Sequence, residues 1–279
     1  MSIELYVFPP SPRAIKVMAV ANHLGLDWTM RALDPRKGDH MAPDYAALNP
    51  NCRMPTLKDG DYVMWESNAI SQYLALRKPQ SGLLPTEENA RLDVTRWQFW
   101  DLAHWDPAYS VFLFEYVVKP RLLGINEPDM AALAKGTEAF HRSAKVLDGH
   151  LEGRKYVTGD TLTVADFSLG AGMVYADACH LPVEPYAEIK RWYGALSALP
   201  SWQKTVAQCA LPVATGRIWL WRMPCRRNSE RKSRHSPSRH LSGSGVPVMR
   251  RSTSILPQRR SPSPMPHGLS GRRRMPCRE

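Results

Sequence analysis

The chain has 279 residues, of which 43% are hydrophobic, with five cysteines and a formal net charge of +11. This length allows one or two domains with a substantial core. The cysteines are sparse, odd in number and without CxxC spacing, which is typical of a reducing compartment and provides no metal site. Because no charged leader precedes an apolar segment and no apolar run reaches ~18 residues, we expect a soluble cytoplasmic protein without a membrane partner.

The positive charge is concentrated at the end of the chain. Residues 217–279 contain 16 of the 37 Lys and Arg residues and two acidic residues, Glu230 and Glu279, so this tail carries +14. The body, residues 1–216, carries −3. A strongly basic composition indicates a nucleic-acid or membrane partner, but here that inference applies to the tail and not to the body.

Residues 1–77 show the order βαβ followed by ββα. The predicted elements are strands at 3–8 and 27–33, a helix from about 14 that stops at Gly25, a hairpin of strands at about 56–58 and 61–65, and a helix at about 67–77. The strands are rich in β-forming residues, and the helices show apolar residues at helical spacing. This order predicts a thioredoxin-like domain in an α+β fold.

The chain then changes to helical patterns. Residues 78–86 are a predicted linker, and residues 87–216 are a predicted all-helical domain. Its helices are expected at about 87–119, 129–150, 184–196 and 201–208, with another beginning at Thr163. Pro120 should end or kink the first of them. Thr163 and Asp166 have the spacing of a capping box, which indicates a folding signal rather than a catalytic pair.

The tail at 217–279 is rich in Arg, Ser and Pro and has no helical period. Such a segment buries too little apolar surface to offset its ordering entropy, so we expect it to be disordered. Three interpretations compete: a frameshifted or read-through end, which we favour, a segment that binds nucleic acid or a membrane surface, and a folded third domain. Arg-rich disorder binds phosphate whatever its origin.

Two stretches, 49–57 and 65–70, organise the predicted site. Pro55 heads a strand and can hold a cis peptide bond, which would turn the backbone of Met54 outward so that its N–H and C=O bind an extended peptide. Glu66 and Ser67 lie where a strand gives way to a helix, and backbone N–H groups there suit a carboxylate. Glu66 suits an ammonium. A ligand with a peptide bond, a carboxylate and an amine fits this description, and glutathione is one.

These residues carry a family resemblance. Asn49-Pro50, then Met54-Pro55, then Glu66-Ser67-Asn68-Ala69-Ile70-Ser71-Gln72-Tyr73-Leu74 is similar to the glutathione site of cytosolic glutathione transferases. The N-terminal spacing is similar to the phi class and its bacterial relatives. The resemblance covers residues 1 to about 216. It implies a homodimer that conjugates the thiolate of its co-substrate glutathione to a hydrophobic electrophile in detoxification, without a metal.

Ser11 is the candidate catalytic residue. A free thiol is little ionised at neutral pH, and a hydroxyl at the N-terminus of a helix favours the thiolate. The run Ser11-Pro12-Arg13-Ala14-Ile15-Lys16-Val17 is similar to the phi-class run with a catalytic serine. Alternatively, Ser11 only caps the helix. Tyr6 is another hydroxyl, and Cys52 is a cysteine beside the site that would support mixed-disulfide chemistry.

The resemblance also implies glutathione-binding residues. We expect them to be His40 and Arg53 for the glycyl carboxylate, Met54 through its backbone, and Glu66 and Ser67 for the γ-glutamyl end. The second substrate should bind between the domains. The residues of the long helix that would line that pocket, or alternatively pack in the core, are His104, Trp105, Ala108, Tyr109 and Phe112.

Two other functions stay open from the sequence. One is a non-catalytic protein that binds glutathione or another ligand on the same fold. The other is a glutathione-dependent thiol-disulfide reductase that uses Cys52. The electrophile is not defined by the sequence, because several glutathione-dependent activities share this scaffold.

Overall fold

The computed structural model describes residues 2–209, so the predicted tail and the last residues of the predicted helical domain lie outside the described residues. The first part contains β1 (Ile3–Val7), α1 (Pro12–His23), β2 (Trp28–Ala32), α2 (Pro43–Leu48), β3 (Thr56–Asp59), β4 (Tyr62–Trp65) and α3 (Ser67–Leu76). The second part contains α4 (Glu88–Trp100), α5 (Asp106–Leu113), α6 (Lys119–Leu123), α7 (Met130–Leu151), α8 (Val164–Gly170), α9 (Ala187–Ser197) and α10 (Pro200–Ala207). The predicted order βαβ-ββα followed by helices is confirmed.

The four strands form one sheet in the order β2-β1-β3-β4. β1 pairs with β2 in parallel and with β3 antiparallel, with Leu5 opposite both Met30 and Leu57. β3 and β4 form the antiparallel hairpin, with Leu57 opposite Met64. Alternate residues of β1 are buried, so one face of the strand packs against the core. The hairpin leaves β4 at the edge, next to the start of α3.

Helix α1 connects the sheet to the helical part of the molecule. It packs against α3 on one side and against α8 and α10 on the other. Its residues from Ala14 to Ala21 are all buried. A helix buried on all sides is expected when it lies between two layers. The N-terminus of α1 is therefore held rigidly where the two parts meet.

A single helical run extends from α4 through α6, which is longer than the predicted helix at 87–119. Two π-helical turns, Asp101–Trp105 and Phe114–Val118, join α4 to α5 and α5 to α6. The prediction that Pro120 ends or kinks this helix is only partly correct, because α6 continues to Leu123. Pro120 lies in the first turn of α6, directly after a π-helical turn, where the ordinary hydrogen-bond ladder is already interrupted.

The predicted capping box at the start of α8 is present. The buried carboxylate of Asp166 accepts hydrogen bonds from the backbone N–H of Thr163 at 2.9 Å, from that of Val157 at 2.8 Å and from the Trp192 indole at 2.9 Å. Asp166 thus fixes the preceding loop and α9 as well as its own helix, which agrees with the predicted folding role.

A buried polar network lies under α3. The Lys16 ammonium of α1 forms an ion pair with the Asp101 carboxylate, and both side chains are fully buried. Asn68 donates to the Gln98 carbonyl at 2.8 Å and accepts from the Ser168 hydroxyl at 3.0 Å. These bonds join the start of α3 to α4 and α8. In residues 2–209, no helix combines the length and apolar character needed to cross a membrane.

Candidate active site

The loop before β3 is shaped by the side chains of Asn49 and Tyr45. Asn49 Nδ2 donates to the Arg53 carbonyl at 2.7 Å, and the Tyr45 hydroxyl donates to the same carbonyl at 2.6 Å. Asn49 Oδ1 accepts from the Asn51 backbone N–H at 3.0 Å. The Met54–Pro55 peptide bond is cis. The Asn49-Pro50 and Met54-Pro55 motifs thus build one rigid loop that carries Arg53 at its surface.

The junction between β4 and α3 holds the other predicted binding pair. Glu66 is the N-cap residue of α3, with a φ of 76°, and its side chain is exposed. A glutamate in this left-handed region is disfavoured by roughly 1–3 kcal/mol, and such residues cluster at functional sites. Ser67 begins the helix and is buried. The backbone N–H groups here suit a carboxylate, as the sequence predicts.

Ser11 lies at the N-terminus of α1. Its backbone occupies the N-cap position, and its carbonyl accepts from the Ile15 N–H at 2.9 Å. Within the described part of the chain, its hydroxyl makes no capping hydrogen bond to that helix. The alternative in which the Ser11 side chain only caps α1 is therefore wrong. The Tyr175 hydroxyl donates to the Pro10 carbonyl at 2.6 Å and holds the loop before Ser11.

Two cavities contain most of the predicted site residues. The smaller, about 160 Å³, is lined by Arg13, Asn49, Asn51, Arg53, Met54, Pro55, Glu66, Ser67 and Leu102. The larger, about 420 Å³, is lined by Phe8, Pro10, Ser11, Pro12, Arg13, Arg53, Ser110, Leu113, Phe114, Val117, Val118, Leu122 and Tyr175. Arg13 and Arg53 line both. The smaller cavity is polar and the larger one is mostly apolar, so a ligand that spans them needs a polar and a hydrophobic part.

Arg13 lines both cavities and is not among the binding or catalytic residues expected from the sequence. It lies two residues after Ser11, and its Nη2 atom is 2.6 Å from the buried Asp106 carboxylate. Asp106 also accepts from the Ser110 hydroxyl at 2.6 Å. The one indication in the sequence was that Arg13 follows Ser11 in the first turn of the predicted helix. The pairing with Asp106 depends on how α5 packs, which no local pattern encodes.

Three residues considered for the glutathione site, His40, Cys52 and Tyr6, line neither of these cavities. His40 is half-buried, and burial lowers its pKa while the neighbouring Asp39 opposes this. Cys52 is a buried residue of the loop before β3. The Tyr6 hydroxyl donates to Glu4 at 3.4 Å, and its ring lies against Tyr45. His40 stays a prediction as a glutathione-binding residue.

The residues that form the wall of the larger cavity are not the helix residues that the sequence suggested for it. Trp105, Ala108, Tyr109 and Phe112 are buried in the core, which is the alternative the sequence left open. His104 is exposed. The wall comes instead from residues on a neighbouring face of the same run, several of them in the π-helical turn at 114–118. A π-helical turn shifts the helix face, so ordinary helical spacing could not identify this wall.

The donor set of the site suits an organic ligand. Among residues 2–209, no group of three or more His, Cys, Asp or Glu side chains converges as a metal site would require. The polar groups at the smaller cavity are a guanidinium pair, a carboxylate, amides and helix N-terminal N–H groups. They match the ends of a zwitterionic peptide.

Comparisons with known proteins identify the family of the chain. Residues 1–76 match the family described as "Glutathione S-transferase, N-terminal domain", and residues 130–195 match "Glutathione S-transferase, C-terminal domain". The chain is 36% identical over 218 residues to Glutathione S-transferase 3 of Zea mays, which covers 75% of this chain and 96% of that protein. It is 34% identical over 210 residues to a probable glutathione S-transferase, GSTF2, of Oryza sativa subsp. japonica, covering 74% and 96%.

Solved structures show the same fold. The structure of glutathione S-transferase III in apo form superposes with a TM-score of 0.67 at 35% identity and covers 77% of this chain and all of that one. Glutathione S-transferase I bound with lactoylglutathione gives a TM-score of 0.69 at 23% identity, with coverage of 75% and 100%. The chain therefore belongs to the glutathione S-transferase family, among its phi-like cytosolic members. The resemblance noted from the sequence motifs is confirmed, and the chain is a glutathione transferase.

Proposed function

We propose that the chain conjugates glutathione, lying across the two adjoining cavities, to a hydrophobic electrophile, with Ser11 acting on the thiol. The observation that carries this is the position of Ser11. Ser11 lines the larger cavity at the N-terminus of α1, and its hydroxyl is not used as a cap. It can donate a hydrogen bond to sulfur, and the helix dipole adds to the stabilisation of the anion.

The γ-glutamyl end occupies the smaller cavity in this proposal. The Glu66 carboxylate accepts from the ammonium, and the N–H groups at the start of α3, with the Ser67 hydroxyl, bind the carboxylate. The backbone of Met54 pairs with the cysteinyl unit in the manner of an added strand. The support is that all three residues line one cavity.

The glycyl carboxylate is bound by Arg53 in this proposal. A guanidinium offers a bidentate fork to a carboxylate. His40 contributes if the carboxylate extends past the cavity towards the 3₁₀ turn at Asp39–Met41. Because burial lowers the pKa of His40, it would act there as a neutral hydrogen-bonding group rather than as a cation.

The electrophile occupies the larger cavity. Its lining is mostly aliphatic and aromatic and suits an apolar substrate, as expected from the sequence. In the reaction, the thiol loses its proton to solvent, the thiolate forms a C–S bond, and the leaving group departs with its electron pair. The proposed role of this reaction is detoxification in the cytoplasm. The reaction as written requires no bound metal.

We also propose that the chain forms a homodimer through α4. Leu92 and Phe99 are 58% and 69% exposed, and they lie seven residues apart, two helical turns along one face. The exposed Tyr62 and Trp65 of the edge strand β4 add further apolar surface. Large apolar side chains grouped on an exposed face indicate an interaction surface.

The proposed function is tested by product formation. Purified protein is incubated with glutathione and a generic aryl halide, and the conjugate is detected by mass spectrometry for the wild type and Cys52→Ser. We expect both to form the thioether, because Cys52 is 4% exposed and lines neither cavity. If the wild type binds glutathione without turnover, the non-catalytic alternative is correct. If the wild type forms no thioether but reduces a mixed disulfide of glutathione, and Cys52→Ser loses that activity, the reductase alternative is correct.

A further inference from the structure

We propose that Arg13 is a second catalytic residue, whose guanidinium stabilises the glutathione thiolate alongside Ser11. This rests on the proposed function. The γ-glutamyl end is assigned to the smaller cavity and Ser11 lines the larger one, so the sulfur must lie where the two adjoin. Arg13 and Arg53 are the residues common to both linings. Arg13 is therefore beside the position that the thiolate takes.

The Arg13 guanidinium is held in place by an ion pair with the buried Asp106 carboxylate. The side chain of Asp106 is 3% exposed, that of Arg13 is 43% exposed, and the two are joined at 2.6 Å. Ser110 donates to the second oxygen of Asp106 and fixes that carboxylate. A guanidinium held by a buried carboxylate is pre-organised, so little reorientation is required when the thiolate forms.

The ion pair is neutral overall, so its effect on the sulfur depends on which partner is nearer. Arg13 lines both cavities, whereas Asp106 is absent from both linings. The positive end of the pair therefore faces the sulfur. An opposite charge within about 4–6 Å favours the ionised form of an acid by roughly 1–3 pKa units.

Arg53 does not serve the same purpose. It is carried by the loop that precedes β3 and, in the proposed function, is paired with the glycyl carboxylate. In that assignment Arg53 binds an anionic group of the ligand inside the site, whereas the partner of Arg13, Asp106, lines neither cavity. Arg13 belongs to the same helical turn as Ser11, and the two donors approach the sulfur from the N-terminus of one rigid helix.

The test is a pH titration of bound glutathione, followed by the ultraviolet absorbance of the thiolate in the complex. We expect Arg13→Gln to raise the apparent pKa of the bound thiol by about 1 unit, which is a tenfold loss of thiolate below that pKa. Arg13→Lys should recover part of the shift, because it keeps the charge. The control is Arg96→Gln, which removes an arginine from the exposed pair with Asp93 and should titrate like the wild type.

The outcomes separate the possible roles of Arg13. An unchanged thiol pKa with a lowered melting temperature would make Arg13 only a link between α1 and α5, and the proposal would be wrong. An unchanged pKa with a raised KM for the electrophile would assign it to substrate binding and would also overturn the proposal. In both cases the wild type still conjugates, so the proposed function stands. Failure of the wild type to ionise or conjugate bound glutathione would instead overturn the proposed function.

Discussion

Glu66 combines an exposed carboxylate with a backbone φ of 76° at the edge of the smaller cavity. A strained, exposed residue contributes little to stability, so its value lies in what it binds. The sequence could propose Glu66 as a binding residue because the motif is local: a strand, Glu-Ser and a helix follow one another in the chain. Arg13 could not be predicted in this way, since its ion pair is made with a residue of α5.

Glu66→Gln should weaken glutathione binding by about 10–100-fold, because a hydrogen bond to a charged group contributes roughly 1.5–3 kcal/mol. The kcat should change little, since Glu66 is assigned to the γ-glutamyl end rather than to the sulfur. Titration calorimetry with S-methylglutathione measures the affinity. An unchanged affinity would remove Glu66 from the proposed site.

The cysteines provide a second test at the scale of single residues. Burial raises the pKa of both Cys179 and Cys209 to about 12, so near neutral pH roughly one thiol in 10⁵ is ionised. Because the thiolate is the reactive form, iodoacetamide should leave both unmodified in the folded protein and modify both in urea. Peptide mapping by mass spectrometry distinguishes the sites. Rapid native labelling of either cysteine would contradict the burial described here.

At the scale of elements, the two π-helical turns supply residues to the two cavities. Leu102 lies in the first turn and borders the smaller cavity, whereas Phe114, Val117 and Val118 lie in the second and border the larger. The sequence predicts the long helix, because its apolar residues recur at ordinary helical spacing. It does not predict the turns, since π-helical turns are widened by tertiary packing and have no strong local signal.

Removing one partner of the buried ion pair of Lys16 and Asp101 should destabilise the fold, whereas replacing both with apolar residues should be tolerated. Asp101→Asn leaves Lys16 without its carboxylate and should lower the free energy of unfolding by about 3–5 kcal/mol. The double variant Lys16→Met with Asp101→Leu should recover most of that loss, because both charges are removed from a buried site. Urea unfolding measures each variant.

The matched control is the exposed pair of Arg96 and Asp93 on α4. Removing Asp93 should change the free energy of unfolding by less than about 1 kcal/mol, since exposed ion pairs are screened by solvent. If Asp101→Asn were no more destabilising than this control, Lys16 would have to find another partner, and the role of the pair in joining α1 to the helical part would be wrong.

At the scale of the whole molecule, the order of helices and strands could be predicted because each has its own local spacing of apolar residues. The oligomeric state could not, because it depends on surfaces that several elements form together. Phe99→Asp should convert the proposed homodimer to a monomer, because it places a charge in an apolar interface. Analytical ultracentrifugation measures the mass. Met130→Asp is the control, since Met130 is equally exposed, at 67%, on α7. A dimer that survives Phe99→Asp, or a wild-type monomer, would contradict the proposed interface.

The basic tail gives a further prediction at this scale. The described lining of both cavities comes from residues 2–209, and we expect a chain that ends after Gly216 to bind glutathione as tightly as the full chain. Binding to single-stranded DNA at low salt should be lost, since the truncation removes a net charge of +14. Calorimetry and a filter-binding assay measure the two affinities. Loss of glutathione affinity would show that the site needs the tail.

The most direct test of the central claim is the steady-state kinetics of Ser11→Ala in conjugation of glutathione to an aryl halide. The loss of one hydrogen bond to the thiolate should lower kcat by about 10–100-fold, with the KM for glutathione nearly unchanged. This result would assign the Ser11 hydroxyl to the reacting sulfur. Full activity in Ser11→Ala would contradict the account and would leave the thiolate to be stabilised by α1 and Arg13 alone.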